Sequence, residues 1–160
     1  MNFLLAIVVS ILSYGAVPND TTVNNANAIN TAISDCADKG GGVVEVPKGT
    51  FTTGSVFLRS CVTLRLNEGA VLLGSCRLSD YSSLVTDLDL SRYESGQGTV
   101  NYNSATDPQW SKAMIFAVGC VGAGIEGAGC IDGGDVRNPL GEEHMRGPHT
   151  LLLAGCHDMK

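Results

Sequence analysis

The sequence predicts a mainly β protein, a parallel β-helix, and three observations predict it. First, apolar residues in the stretch GGGVVEVPKGTFTTGSVFLRSCVTLRLNEGAVLLG, residues 40–74, come in short bursts (Val44 and Val46, Phe51, Val56 and Leu58, then Val62, Leu64 and Leu66). These bursts alternate like strands and do not fit a helical period. Second, Pro47, Gly49, Gly54, Ser60 and Gly69 stand between them, residues that turn the chain after each strand. Third, the pattern repeats. SVFLRSCVTLRL at 55–66 is echoed by AMIFAVGCVGAGI at 113–125 and by HTLLLAGCHDMK at 149–160, and GAVLLG at 69–74 is echoed by GAGCIDG at 127–133. Two units that recur in the same order mark a solenoid, in which one rung buries its apolar face only when the next stacks on it. Cys61, Cys120 and Cys156 then fall at equivalent turns, where they are expected to stack inside the coil as reduced thiols.

The first element in chain order is MNFLLAIVVSILS. Its apolar run from Phe3 to Leu12, broken by Ser10, suits a secretory signal and is too short to span a bilayer. No basic residue precedes the run and no small-x-small site follows it, so residues 1–13 are read as either a signal peptide or the lead-in to a first strand at 11–17. Residues 14–160 are read as part of one β-helix domain. Within it, Ala28, Ile29, Ala32, Ile33, Cys36 and Ala37 recur at three- and four-residue steps, which predicts an amphipathic helix over 22–39. Thr22 and Asn24 are candidate N-caps, and Gly40 is a residue able to end the helix in the left-handed conformation. The exposed end of the first rung needs a lid, and this helix needs a surface to bury.

The repeat is broken at 77–112 by a polar insert with Asp80, Asp87, Asp89, Tyr81, Tyr93, Tyr102 and Trp110. A segment this long is a surface excursion; its aromatic rings either form a sugar-stacking wall or pin the insert to the coil, and the second reading is favoured by the area such rings bury. The segment 132–149 concentrates Asp132, Asp135, Arg137, Glu142, Glu143, His144, Arg146 and His149. Asp132 lies between Ile131 and two glycines, where an Asp bonds its own backbone, so it is assigned to a turn rather than to catalysis. Arg137 and Arg146 have the fork that holds a carboxylate, and Arg146 is taken as the candidate substrate-binding residue.

Composition excludes other classes. A net charge of −6 argues against nucleic acid or an anionic membrane surface as partner. The six cysteines include no Cys-x-x-Cys pair and the three histidines lack zinc-site spacing, so neither a metal nor another cofactor is expected. No Gly-x-Ser-x-Gly or phosphate loop occurs.

YGAVPNDTTVNNANAINTAISDCADKGGGVVEVPKGTFTTGSVFLRSCVTLRLNEGAVLLGS at 14–75, IEGAGCIDG at 125–133 and RGPHTLLLAGCHDMK at 146–160 resemble, in order, segments of the polygalacturonase-like glycoside hydrolases. The resemblance implies a right-handed β-helix capped by a helix at its N-terminal end, and an enzyme that is secreted or periplasmic, monomeric at full length, not inserted in the membrane, and acts on pectic polysaccharide or oligogalacturonide. It also implies catalytic aspartates in an Asn-Thr-Asp segment and an Asp-Asp pair, followed by Gly-His-Gly and Arg-Ile-Lys motifs. None of these strings occurs in the 160 residues, so no catalytic residue is assigned. The chain is accordingly expected to be the N-terminal, truncated part of such an enzyme and inactive alone. A pectate-lyase-like eliminase, which would want an acidic calcium cluster, and a non-catalytic glycan-binding solenoid are the alternatives.

Overall fold

The computed structural model describes residues 7–90, 108, 111–140 and 147–160. Ten strands run in the order β1 (Ile7–Ser10), β2 (Gly42–Val46), β3 (Gly49–Thr53), β4 (Val56–Phe57), β5 (Val62–Leu66), β6 (Ala70–Gly74), β7 (Ala113–Val118), β8 (Gly124–Gly127), β9 (Cys130–Asp132) and β10 (His149–Ala154), with one α-helix, α1 (Ala26–Asp38). They form three sheets in the orders β1-β2-β5-β8, β3-β6-β9 and β10-β7-β4, here called A, B and C, and every strand pair in them is parallel. Each rung therefore takes one strand from each sheet: β2-β3-β4, then β5-β6-β7, then β8-β9-β10. The coil is a right-handed parallel β-helix, the hand that parallel crossovers take.

The bursts read from the sequence are the inward-facing residues, and they stack in columns one rung apart. Val44, Leu64 and Ile125 share a register in sheet A, Phe51, Leu72 and Ile131 in sheet B, and Val56, Ile115 and Leu151 in sheet C. Those of the first two rungs are fully buried. A rung of short strands has little interior of its own, so burial comes from the rungs above and below.

The helix is shorter than the period suggested. Its N-cap is Asn25, and Thr22 is drawn away by Asp20, whose Oδ1 accepts from the Thr22 backbone N–H at 2.9 Å and from its hydroxyl at 2.6 Å. Asn24 Oδ1 does accept from the Ala26 N–H, at 3.0 Å, but it also reaches the coil. Gly40 follows with φ +99°, in the left-handed region.

Ala28, Ile29, Ala32, Ile33 and Cys36 bury the apolar stripe of α1 against the first rung. The segment leading into α1, with Asn30 on the helix itself, completes the lid, because the edges of β3 and β4 meet asparagines where a further strand would be. Thr50 N–H donates to Asn19 Oδ1 at 3.0 Å, Gly54 N–H to Asn24 Oδ1 at 2.9 Å and Phe57 N–H to Asn30 Oδ1 at 2.8 Å, while Asn25 Nδ2 donates to Thr52 O at 3.0 Å and Asn30 Nδ2 to Ser55 O at 2.9 Å. A side-chain amide offers the same donor and acceptor as a peptide group, so four asparagines blunt the edge that would otherwise pair with another chain.

Two sequence expectations are corrected here. The first strand is Ile7–Ser10, paired with β2, and Ile11–Tyr14 turns as a short 3-10 helix that buries Ile11, because Gly15 at φ +88° ends the turn and redirects the chain. The three turn cysteines are not equivalent. Five residues separate Phe57 from Thr63 but seven separate Phe116 from Gly124, their register partners, so the second turn is two residues longer. Cys61 consequently takes the left-handed position of Gly122, with φ of +63° and +66° respectively, and is exposed, whereas Cys120 is buried and Cys156 half-buried.

Candidate substrate-binding face

The two long departures from the repeat leave the coil at the same corner. Residues 75–112 join β6 to β7 and residues 133–148 join β9 to β10, both between sheets B and C, one rung apart. In solenoids, insertions gathered on one face commonly build the binding face.

Close backbone crossings hold this corner together. A side chain at Gly74 would meet Gly133 O at 2.5 Å and the Tyr81 hydroxyl at 2.7 Å, so a residue without Cβ lets both loops cross the end of β6. Tyr81 is buried there and its hydroxyl donates to Ser75 O at 2.6 Å; burial pushes its pKa up to about 12. Ser75, also buried, donates its hydroxyl to Asp80, which Arg77 Nε meets at 3.2 Å. On the far side of the insert, Ser83 bridges Lys112, Lys112 Nζ donates to Tyr81 O at 3.1 Å, and the His149 N–H donates to Lys112 O at 2.8 Å, linking the first departure to the start of β10. Tyr81 thus behaves as a pin; Tyr93, Tyr102 and Trp110 lie outside the described residues.

Asp132 ends β9 exposed, and its Oδ1 accepts from the Gly134 N–H at 2.9 Å. That is the turn role assigned to it from sequence. Asp135 is exposed with φ +48°, and Arg137 is exposed two residues on. Among the other described arginines, Arg59 faces Asp38, Arg65 is shared by Glu126 and Glu45 on the outer face of sheet A, and Arg77 faces Asp80. Arg146, Glu142, Glu143 and His144 lie outside the described residues. Asp132, Asp135, Arg137 and His149 thus lie along the departure between β9 and β10 or at its two ends. Among the described residues no three His, Cys, Asp or Glu side chains converge as metal ligands.

Under the first departure is a cavity of about 370 Å³, between the outer face of sheet C and residues 82–85. Phe57 and Phe116 form its floor, stacked with ring centroids 5.2 Å apart and planes 8° from parallel. Phe57 keeps 42% of its surface exposed, while Phe116 is buried. The sequence reading missed this pair because both phenylalanines sit in apolar bursts and pass for core. Their parity is the missed signal: each follows an inward residue, Val56 or Ile115, and successive strand residues face opposite ways. The arrangement is an apolar platform of two stacked rings roofed by residues 82–85.

No protein-family model matches the chain. It is 35% identical over 136 residues, 84% of its length, to an exo-poly-alpha-D-galacturonosidase of Dickeya chrysanthemi, covering 22% of that protein. The structure of a family 28 exopolygalacturonase from Yersinia enterocolitica superposes with a TM-score of 0.60 at 29% identity, over 81% of this chain and 21% of that one. A plasmin and fibronectin-binding protein A of Streptococcus pneumoniae is 28% identical over 94% of this chain and 22% of its own length. The fold is that of a right-handed parallel β-helix of the kind these hydrolases have. More particularly, the chain is polygalacturonase-like, and it spans about a fifth of the length of the relatives it matches.

Proposed function

We propose that the whole protein is a glycoside hydrolase acting on pectic polysaccharide, and that these 160 residues supply N-terminal rungs and part of the substrate-binding face of its β-helix. The likeness to the exo-poly-alpha-D-galacturonosidase, across 84% of this chain, carries the reading. Hydrolysis of a glycosidic bond needs one carboxyl group to protonate the leaving oxygen and another to activate water, or to attack, at a set separation. Asp132 is committed to its own turn and Asp80 to Ser75 and Arg77. The reacting pair is accordingly assigned to other parts of the whole protein, with inversion as the stereochemical outcome. The role of these rungs is binding: Arg137 and Arg146 hold uronate carboxylates against a chain whose net charge of −6 otherwise repels them. No cofactor enters this reading, and the protein acts as a secreted or periplasmic monomer without nucleic acid or membrane partners. Among the described residues no helix is long and apolar enough to cross a membrane.

The test is reducing-end release from polygalacturonate by the whole protein and by the 160-residue chain, with the first active and the second inactive. Arg146→Ala in the whole protein should raise KM several-fold with kcat and melting temperature little changed. An unsaturated product would instead establish the eliminase. Tight polygalacturonate binding by the whole protein without turnover would establish the non-catalytic solenoid, the reading favoured by the likeness to the plasmin and fibronectin-binding protein.

A further inference from the structure

Two cysteines lie one above the other in the turn after sheet C. Cys120 and Cys156 hold the same register position in successive rungs, since Val118 pairs with Ala154 before them and Val121 bridges His157 after them. Each sulfur also has the same surroundings. Cys120 Sγ lies 3.6 Å from Val118 O, two residues back, and 3.3 Å from Leu58 O in the rung below; Cys156 Sγ lies 3.4 Å from Ala154 O and 3.1 Å from Ala117 O. The two thiols therefore point the same way along one column. Neighbouring strands stand about 4.8 Å apart, within the Cα separation of about 4.4–6.8 Å that a disulfide accepts. The pair is graded in access, Cys120 being buried and Cys156 half-buried, and burial first, then the adjacent Cys156, raise the pKa of Cys120.

We propose that Cys120 and Cys156 form a redox staple that ties the second rung to the third, closed by exchange with a low-molecular-weight disulfide such as oxidised glutathione. The more accessible Cys156 loses its proton to solvent, and its thiolate attacks the small disulfide, forming a mixed disulfide and expelling one small thiolate. Cys120 then loses its proton and attacks Cys156 Sγ, forming the Cys120–Cys156 bond and expelling the second. Two protein thiols are oxidised and one small disulfide is reduced to two thiols. The bond encloses residues 121–155, and with them the charged departure between β9 and β10. Closing it restrains the rung from which the departure between β9 and β10 leaves the coil.

The 160-residue chain, purified with reductant and then incubated with oxidised glutathione, should lose the thiols of both Cys120 and Cys156 without retaining glutathione on either, while the exposed Cys61, Cys76 and Cys130 take up glutathione singly. Peptide mapping should find Cys120 joined to Cys156, and Tm should rise. The same treatment in denaturing urea should cut the yield of that link about tenfold, because the unfolded chain brings the two together only by random loop closure. In Cys120→Ala the glutathione should remain on Cys156. Another cysteine pair closing first, glutathione persisting on Cys156 of the unsubstituted chain, or an equal yield in urea would each overturn the proposal.

Discussion

Tyr81 and Cys61 mark what can and cannot be read from single residues. The sequence presents both as members of a pattern, an aromatic in a polar insert and a cysteine in a repeated turn. Tyr81 fits its pattern because a ring in a solvated insert has a large apolar area to bury, and the end of β6 is the surface it reaches. Cys61 departs from its pattern because two extra residues in the next turn shift the register, and an inserted length leaves no mark on the residue itself. The protonation of Tyr81 is testable. Burial holds its pKa at about 12, above the ordinary value near 10, so the neutral phenol is favoured in the fold. Its contribution is fully present below pH 10 and is lost as pH rises through about 12. In an alkaline spectrophotometric titration Tyr81 should ionise late and together with unfolding, alongside Tyr14, which its hydrogen bond to Asp35 also raises, and Tyr81→Phe should remove one of the late tyrosines. Ionisation of every tyrosine at the ordinary pH would contradict the pin.

At the scale of elements, the helix was legible from its apolar period, and so was its need for a surface to cover. The way Asn30 and the asparagines leading into the helix substitute for a strand was not, because the strand-edge partners of Asn19, Asn24, Asn25 and Asn30 lie 25 to 31 residues away in sequence. Of the four, Asn25 is the most enclosed, at 1% exposure. Its Oδ1 accepts from the Val17 N–H at 2.7 Å and its Nδ2 donates to Thr52 O and Val17 O. Asn25→Ala removes the side-chain partner of the Val17 N–H and O, while Thr52 O keeps the Asn25 backbone N–H at 2.9 Å, and should lower stability by about 1 kcal/mol. Asn27→Ala, on the exposed side of the same helix, should stay within about 0.5 kcal/mol of the parent. Urea denaturation of the two variants side by side decides the matter, and equal midpoints would remove the asparagine lid from the account.

For the whole molecule, the β-helix was legible because its repeat is written in the strands and turns themselves, whereas the face gathering both inserts appears only once the corner between sheets B and C is known to be common to them. The stacking that makes the repeat legible also fixes where the coil is sticky. Leu151 and Leu153 face inward, being in register with the buried Ile115 and Ala117, yet they are 45% and 50% exposed. Within the described residues no strand lies on the far side of β8, β9 or β10. Inward-facing leucines beside three strand edges make a surface that a second copy can cover by continuing the sheets. The 160-residue chain should therefore self-associate with concentration in sedimentation velocity. Placing charges in that surface, Leu151→Lys with Leu153→Lys, should shift it towards monomer. Val8→Lys is the control at the other end of the coil: Val8 is 54% exposed on β1 but points outward, beside the inward Val9, which is in register with the buried Val44, so it should leave association unchanged. A parent that stays monomeric at every concentration, or association relieved by the Val8 change and not by the leucine pair, would show that the third rung is not the surface through which copies meet.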